Sequence, residues 1–231
     1  MAVRDVLFDL DGCLYAAGNG LEEFCRARIF SFMVEHLRVE STTLASEVWH
    51  VAFRRYNQSL RALRALGYQF DSDLYWRYIR QGSLGFLSPV PETAALLREL
   101  RQKGVRCWVM TNCREREALE TLEELQIPVS LFEGVLGADF MGDVCKPELA
   151  AFEKVVKHTG CDPLHTAMFE DSLRNLVTAK ALGMRTVLVG ATTLAEEGPA
   201  QELLAATLDA SISVCTLAEV RASSIAAALF S

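Results

Sequence analysis

Residues 6–12 read Val6-Leu7-Phe8-Asp9-Leu10-Asp11-Gly12. The stretch opens as a short apolar strand and closes on two aspartates and a glycine. Alternation along a strand sends Asp9 and Asp11 to one side and Leu10 to the other. Two carboxylates so close repel each other unless a cation lies between them or one keeps a proton. Both outcomes serve phosphoryl transfer, with one carboxylate ionised as nucleophile and metal ligand and the other protonated as an acid. Gly12 lets the chain turn sharply, and ligands of open α/β sheets bind at the C-terminal ends of strands. Taken alone, the same residues also fit a pair of turn-capping aspartates.

Outward from this stretch, short apolar runs alternate with helical patterns. Val6 to Leu10, Arg106 to Met110, Val135 to Ala138, Thr166 to Phe169 and Arg185 to Val189 read as strands. Several are apolar on both faces, as buried parallel strands are. Glu92 to Lys103, Arg114 to Leu125, Glu148 to His158 and Leu173 to Leu182 read as helices, with Pro147 fitting a first turn and Gly104, Gly160 and Gly183 fitting helix ends. The alternation predicts an α/β fold, a parallel sheet with helices on both faces. One stretch breaks it. From about Leu21 to Arg80 the pattern is helical throughout, flanked by Ala16-Ala17-Gly18-Asn19-Gly20 and by Gly82 to Pro91. We read residues 16–86 as an inserted helical subdomain and residues 1–15 with 87–231 as the α/β part. At the C-terminus, Ala210 to Val214 fits a last edge strand and Leu217 to Leu229 a closing helix.

The other strand ends carry polar groups too. Thr111-Asn112 offers two short hydrogen-bonding side chains, although Thr-Asn before a helix is also an ordinary cap. Lys146-Pro147 follows an acidic, glycine-rich loop. A lysine near a helix N-terminus opposes the helix dipole and calls for a nearby anion; a solvated lysine is the alternative. Phe169-Glu170-Asp171-Ser172 places a second acidic pair beside the first if the two strands are neighbours. Capping by Asp171 or Ser172 is the plainer explanation, but it leaves Glu170 without a role.

All four sets fall at strand ends and in a single order. Together they resemble the four motifs of the haloacid dehalogenase superfamily in its phosphatase branch, and the insert resembles that superfamily's mobile cap. Phe8-Asp9-Leu10-Asp11-Gly12-Cys13-Leu14-Tyr15, Phe169-Glu170-Asp171-Ser172-Leu173-Arg174-Asn175-Leu176, Leu182-Gly183-Met184-Arg185-Thr186-Val187-Leu188-Val189 and Gly67-Tyr68-Gln69-Phe70-Asp71 are similar to the pyrimidine 5′-nucleotidase group. The resemblance implies a Rossmann-like core and a Mg²⁺-dependent phosphomonoester hydrolase acting on a small phosphorylated metabolite, a nucleoside 5′-monophosphate first of all. It implies that Asp9 attacks phosphorus to form an aspartyl-phosphate, and that Asp11 protonates the leaving oxygen and then activates water. Mg²⁺ would be held by Asp9, the Asp11 backbone carbonyl and Asp171, with Glu170 as ligand or support. Thr111, the Asn112 backbone and Lys146 would hold the phosphoryl group. A phosphomutase would use the same acid and base, and a non-catalytic binding protein could keep the fold.

Two positions depart from the resembled pattern. Cys13 stands where threonine is usual, and a thiol is the weaker hydrogen-bonding group. Tyr56-Asn57-Gln58-Ser59-Leu60 replaces Tyr-Gly-Thr-Thr in the cap, so the reading of the leaving group is expected to differ. Arg54, Arg55, Tyr56, Asn57 and Arg61 are the candidate substrate contacts there, Asn57 and Arg61 foremost. Cys13, Cys113 and Cys145 each lie within two residues of a proposed site side chain, which raises the expectation of oxidation sensitivity.

Composition narrows the classes further. With 231 residues, 51% hydrophobic and 23% charged, the chain can bury a real core. A net charge of −7 argues against sequence-independent nucleic-acid binding, which needs clustered cations. Seven cysteines without a CxxC pair fit reduced thiols better than a disulfide framework or a zinc site. No apolar run approaches the roughly 18 residues of a membrane span. The first strand begins almost at Met1, so a soluble, cytoplasmic protein is expected.

Overall fold

The computed structural model describes residues 2–190, 213–214 and 217–222. Among the described residues six parallel strands form one sheet: β1 (Asp5–Phe8), β2 (Arg106–Met110), β3 (Gly134–Leu136), β4 (Thr166–Glu170), β5 (Arg185–Val189) and β6 (Ser213–Val214). Their spatial order is β3-β2-β1-β4-β5-β6. β1 therefore lies at the centre, where the order reverses, and ligands of doubly wound sheets bind at such a switch point.

The register follows from side chains at both ends of β1. Asp5 pairs with Arg106 on β2, and the Arg106 guanidinium reaches the Asp5 carboxylate at 2.8 Å. Phe8 pairs with Phe169 on β4, and their ring centroids stand 5.0 Å apart. Slipping β1 by one residue would exchange its two faces, taking Asp5 from Arg106 and Leu7 from the core it shares with Met168. On one face Leu7, Met110, Leu136 and Met168 form the core with helices α8 (Leu149–Thr159) and α9 (Leu173–Ala181), through Phe152, Val155, Leu173 and Leu176. On the other, Phe8 meets both Phe169 and Phe132, while α5 (Pro91–Gln102) packs against β2 and against the final helix described, Leu217–Ala222. Helix α6 (Glu115–Glu124) follows β2 and the short α7 (Ala138–Met141) follows β3.

The chain divides into two compact units, Met1–Ala17 with Pro89–Ser231, and Gly18–Ser88. Both junctions fall two residues beyond those drawn from the sequence. Residues 16 and 17 continue the turn that leaves β1, and Leu87 closes a 3-10 turn of the insert through its N–H to Leu84. The insert holds α1 (Leu21–Leu37), α2 (Thr42–Tyr56), α3 (Ser59–Ala65) and α4 (Ser72–Arg80). Its heart is Phe32, fully buried, with His36, Phe70, Tyr75 and Tyr78 packed around the ring at centroid distances of 4.7 to 5.5 Å. Ser41 and Asp71 cap α2 and α4 with side-chain oxygens that accept from Leu44 and Leu74. Among the described residues no helix is long and apolar enough to cross a membrane.

Three local expectations are corrected. β1 ends at Phe8 rather than Leu10, because Leu10 already accepts the Leu14 N–H and the chain turns. β3 stops at Leu136, since Ala138 opens the four-residue α7 that the sequence reading missed. Pro147 lies outside α8, which starts at Leu149 after the extended residue Glu148. Of the predicted C-terminal elements, Ser213–Val214 and Leu217–Ala222 are present; the remainder of each lies outside the described residues.

Candidate active site

Parallel pairing of Phe8 with Phe169 places Asp9, one residue on, beside Glu170, and the Asp9 N–H continues the ladder to the Phe169 carbonyl at 2.9 Å. Between these carboxylates stands the ammonium of Lys146, 2.6 Å from Asp9 Oδ1 and 2.7 Å from Glu170 Oε2. Lys146 and Glu170 are each 1% exposed. A lone buried ammonium would give up its proton, but Lys146 stays cationic. Burial alone lowers its pKa, while Asp9 and Glu170 raise it past the ordinary lysine value.

Asp171 completes the cluster. One carboxylate oxygen from each of Asp9, Glu170 and Asp171 lies within 4.8 Å of the others, a spacing that suits a shared metal ion. Asp171 can come this close only because residue 12 has no side chain. A Cβ on Gly12 would stand 2.4 Å from Asp171 Oδ2, and Gly12 has φ +78. Three carboxylates face one ammonium, and the imbalance shows in their protonation. Burial, then Glu170, pushes Asp9 up from 3.8 to about 8. Burial, then Glu170 and Asp9, holds Asp171 well above the usual carboxylate range. Burial also raises Glu170, but the Lys146 charge together with hydrogen bonds from Asp171, Lys146 and the Ser172 N–H outweighs it and keeps that carboxyl below its ordinary value. A divalent cation here would relieve the surplus negative charge, so the residues fit Mg²⁺.

The Asp11 carboxylate is not in this trio. It lies in the turn after β1, where alternation along the strand no longer applies, and its Oδ1 accepts a 2.6 Å hydrogen bond from the Tyr15 hydroxyl. Thr111 is buried at the tip of β2, its Oγ1 accepting from the Cys113 N–H at 3.0 Å. The Asn112 side chain clamps the lysine peptide. Its Nδ2 donates to the Lys146 carbonyl at 3.0 Å and its Oδ1 accepts the Lys146 N–H at 2.9 Å. The lysine is therefore held by the turn that follows β2, not by the first turn of α8 that the sequence suggested.

Glu115 strengthens that hold. Its carboxylate accepts the N–H groups of Gly137, Asp139 and Phe140 at 2.8 to 2.9 Å, tying the loop before Lys146 to the start of α6. Sequence reasoning missed Glu115, Tyr15 and the side-chain role of Asn112. Tyr15 had a signal, its i+4 spacing from Asp11; Glu115 reaches 22 to 25 residues ahead and had none.

Cys13, Cys113 and Cys145 are buried. Burial, with Asp9, Glu170 and Asp171 nearby, pushes the Cys13 thiol well up, so it is poorly nucleophilic. Asn57 and Arg61 belong to the insert. Asn57 ends α2 in the left-handed region at φ 51. The Arg61 and Arg55 guanidiniums lie 5.6 and 5.4 Å from the Tyr56 ring centre.

With a buried lysine, three carboxylates and a turn-borne aspartate at the strand tips, the match of residues 3–183 to one family decides the assignment. The chain belongs to the haloacid dehalogenase-like hydrolases. Phosphatases occur among its relatives in this family. It is 33% identical over 100 residues to a sesquiterpene phosphatase of Aspergillus oryzae, a match covering 43% of this chain and 50% of that protein. The chain thus spans about half the length of that relative. It is 25% identical over 199 residues to a glyceraldehyde 3-phosphate phosphatase of Methanothermobacter thermautotrophicus, covering 81% and 85%. The solved haloacid dehalogenase-like phosphatase of Thermococcus onnurineus superposes with a TM-score of 0.64 at 21% identity, covering 96% and 97% of the two chains, a likeness of fold.

Proposed function

We propose that the protein is a Mg²⁺-dependent phosphomonoester hydrolase that works through an aspartyl-phosphate on Asp9. The observation that carries this reading is the buried Lys146 ammonium shared by Asp9 and Glu170, with Asp171 at metal-ligand spacing. Asp9, Asp171 and Glu170 would hold the cation, with the Asp11 backbone carbonyl as a further oxygen. When bound, it supplies positive charge that draws the phosphoryl oxygens toward Asp9.

The chemistry assigned to the side chains balances in two steps. A carboxylate oxygen of Asp9 attacks phosphorus, the bond from phosphorus to the leaving oxygen breaks, and Asp11 gives that oxygen its proton, releasing an alcohol. Asp11, now a carboxylate, takes a proton from water as the water attacks phosphorus. The bond from phosphorus to Asp9 breaks, and inorganic phosphate leaves. Lys146, Thr111 and the Asn112 backbone hold the transferring group throughout. A leaving alkoxide needs the proton on Asp11 and a leaving halide does not, which favours ester hydrolysis over dehalogenation.

The substrate we propose is a nucleoside 5′-monophosphate such as a pyrimidine nucleotide, read by Asn57 and Arg61. Tyr56, with two guanidiniums about its ring, supports this reading because an aromatic face and cationic groups suit a base and a polar sugar. We place the protein in the cytoplasm, acting on free metabolites rather than nucleic acid or membranes. The test is phosphate release from a panel of nucleotides, sugar phosphates, short-chain aldehyde phosphates and prenyl phosphates, with Mg²⁺ and with EDTA. Preference for a prenyl or aldehyde phosphate would replace the nucleotide assignment; no release from any ester would end the hydrolase reading.

A further inference from the structure

The turn that leaves β1 brings one hydroxyl onto the aspartate that sequence reading treats as acid and base. The Leu14 N–H closes on the Leu10 carbonyl at 3.0 Å, and the Thr93 hydroxyl on α5 donates to the Leu14 carbonyl at 3.2 Å. The backbone beneath residue 15 is thereby fixed to the core. Tyr15, only 7% exposed, then points its hydroxyl at Asp11 and donates to Oδ1 at 2.6 Å. Cys13, nearer in sequence, carries a thiol, a much weaker donor than a phenol.

We propose that Tyr15 is a positioning residue for the Asp11 acid, holding Oδ1 as an acceptor so that the transferable proton resides on Oδ2. The assignment rests on the hydrolase reading above. In the first step the O–H bond at Asp11 Oδ2 breaks and the proton goes to the leaving oxygen. In the second, Oδ2 takes the proton of the attacking water. Tyr15 keeps its own proton in both. Its part is to remove rotation of the carboxyl about χ2, which would otherwise offer the wrong oxygen for part of the time.

The consequence depends on the leaving group. p-Nitrophenolate departs with little need of a proton, whereas the alkoxide of β-glycerol phosphate needs one in full. Tyr15→Phe keeps the buried ring and removes only the hydroxyl. We expect it to lower kcat/KM, which reports the steps up to alcohol release, on β-glycerol phosphate by roughly tenfold or more and on p-nitrophenyl phosphate by less than about twofold, as loss of part of a general-acid contribution requires. Asp11→Asn should give the same selectivity in kcat/KM with larger losses, and the double variant should be no slower than Asp11→Asn alone. Equal loss of kcat/KM on both esters, or a double variant slowed by the product of the single effects, overturns the Tyr15 assignment and leaves the hydrolase reading standing. Wild-type protein inactive on both esters overturns the hydrolase reading, and the assignment with it. Thermal melting of each variant separates lost positioning from lost fold.

Discussion

The tips of the sheet and the heart of the insert solve opposite problems. At the tips, Asp9, Lys146 and Glu170 are ionisable groups taken out of water and paired through the ammonium, with Asp171 half-buried beside them. In the insert, Phe32 gathers four rings, while Arg54 and Arg55 stay exposed beside Tyr56. Burying charge costs much more than burying a ring unless the partners are placed to a fraction of an ångström. The first arrangement therefore depends on backbone register and fails when one atom is missing. The second rests on packed area and on exposed cations that screening weakens, so it tolerates change.

The comparison predicts its own largest effect at the tips. Asp9→Asn removes the nucleophile while keeping the side-chain volume, and phosphate release should fall at least about 10⁴-fold with the fold intact by circular dichroism. Activity within about tenfold of wild type would break the contrast at its root. Gly12→Ala should come next. Its Cβ would overlap Asp171 Oδ2 and force a side chain into a left-handed backbone, so we expect a roughly 10²-fold loss of kcat/KM, with weaker Mg²⁺ dependence.

Removing the metal sharpens the charge argument. Without a divalent ion, Asp9 holds its proton up to about 8 against an ordinary 3.8. A carboxyl raised on folding adds stability that is whole at low pH and is lost as pH climbs through that raised value. In EDTA the melting temperature should therefore fall between about pH 5 and 8, by roughly 5–10 °C. Mg²⁺ needs the carboxylate ionised, so its stabilising shift should grow over the same interval. A melting temperature flat with pH in EDTA would show that Asp9 is already ionised and that Lys146 balances the cluster alone.

How far the sequence could be read follows the same division. The tips were legible because parallel pairing turns four separate stretches into neighbours: once β1 lies between β2 and β4, the placement of Asp9 beside Glu170 is arithmetic. The ties that aim these groups were not legible. Asn112 is legible as a hydrogen-bonding residue at a strand end, yet nothing local says that its side chain grips a peptide 34 residues away. At Glu115 no local pattern announces three amides arriving from beyond β3. The Pro147 error has the same origin, since proline after lysine reads as a helix start while tertiary hydrogen bonds hold Lys146 elsewhere. In the insert the helical pattern showed plainly as periodicity, but the ring cluster around Phe32, like that of Tyr56 with Arg55 and Arg61, is set by side-chain choice that spacing leaves open.

The smallest effect is the most discriminating for the insert. Arg61 presents its guanidinium near the Tyr56 ring on a helix only seven residues long, so removing it deletes a cation without disturbing a packed layer. If it reads the leaving group, Arg61→Ala should raise KM for the preferred nucleotide by about five- to tenfold, on the order of 1 kcal/mol of binding. The value of kcat should hold, because that contact is made equally in ground and transition states. p-Nitrophenyl phosphate, which has no sugar or base, should be hydrolysed as by the wild type. A fall in kcat on both substrates would instead give Arg61 a share in the phosphoryl step. The two regions would then differ in exposure but not in task, and tolerance to change could no longer be inferred from the manner of burial.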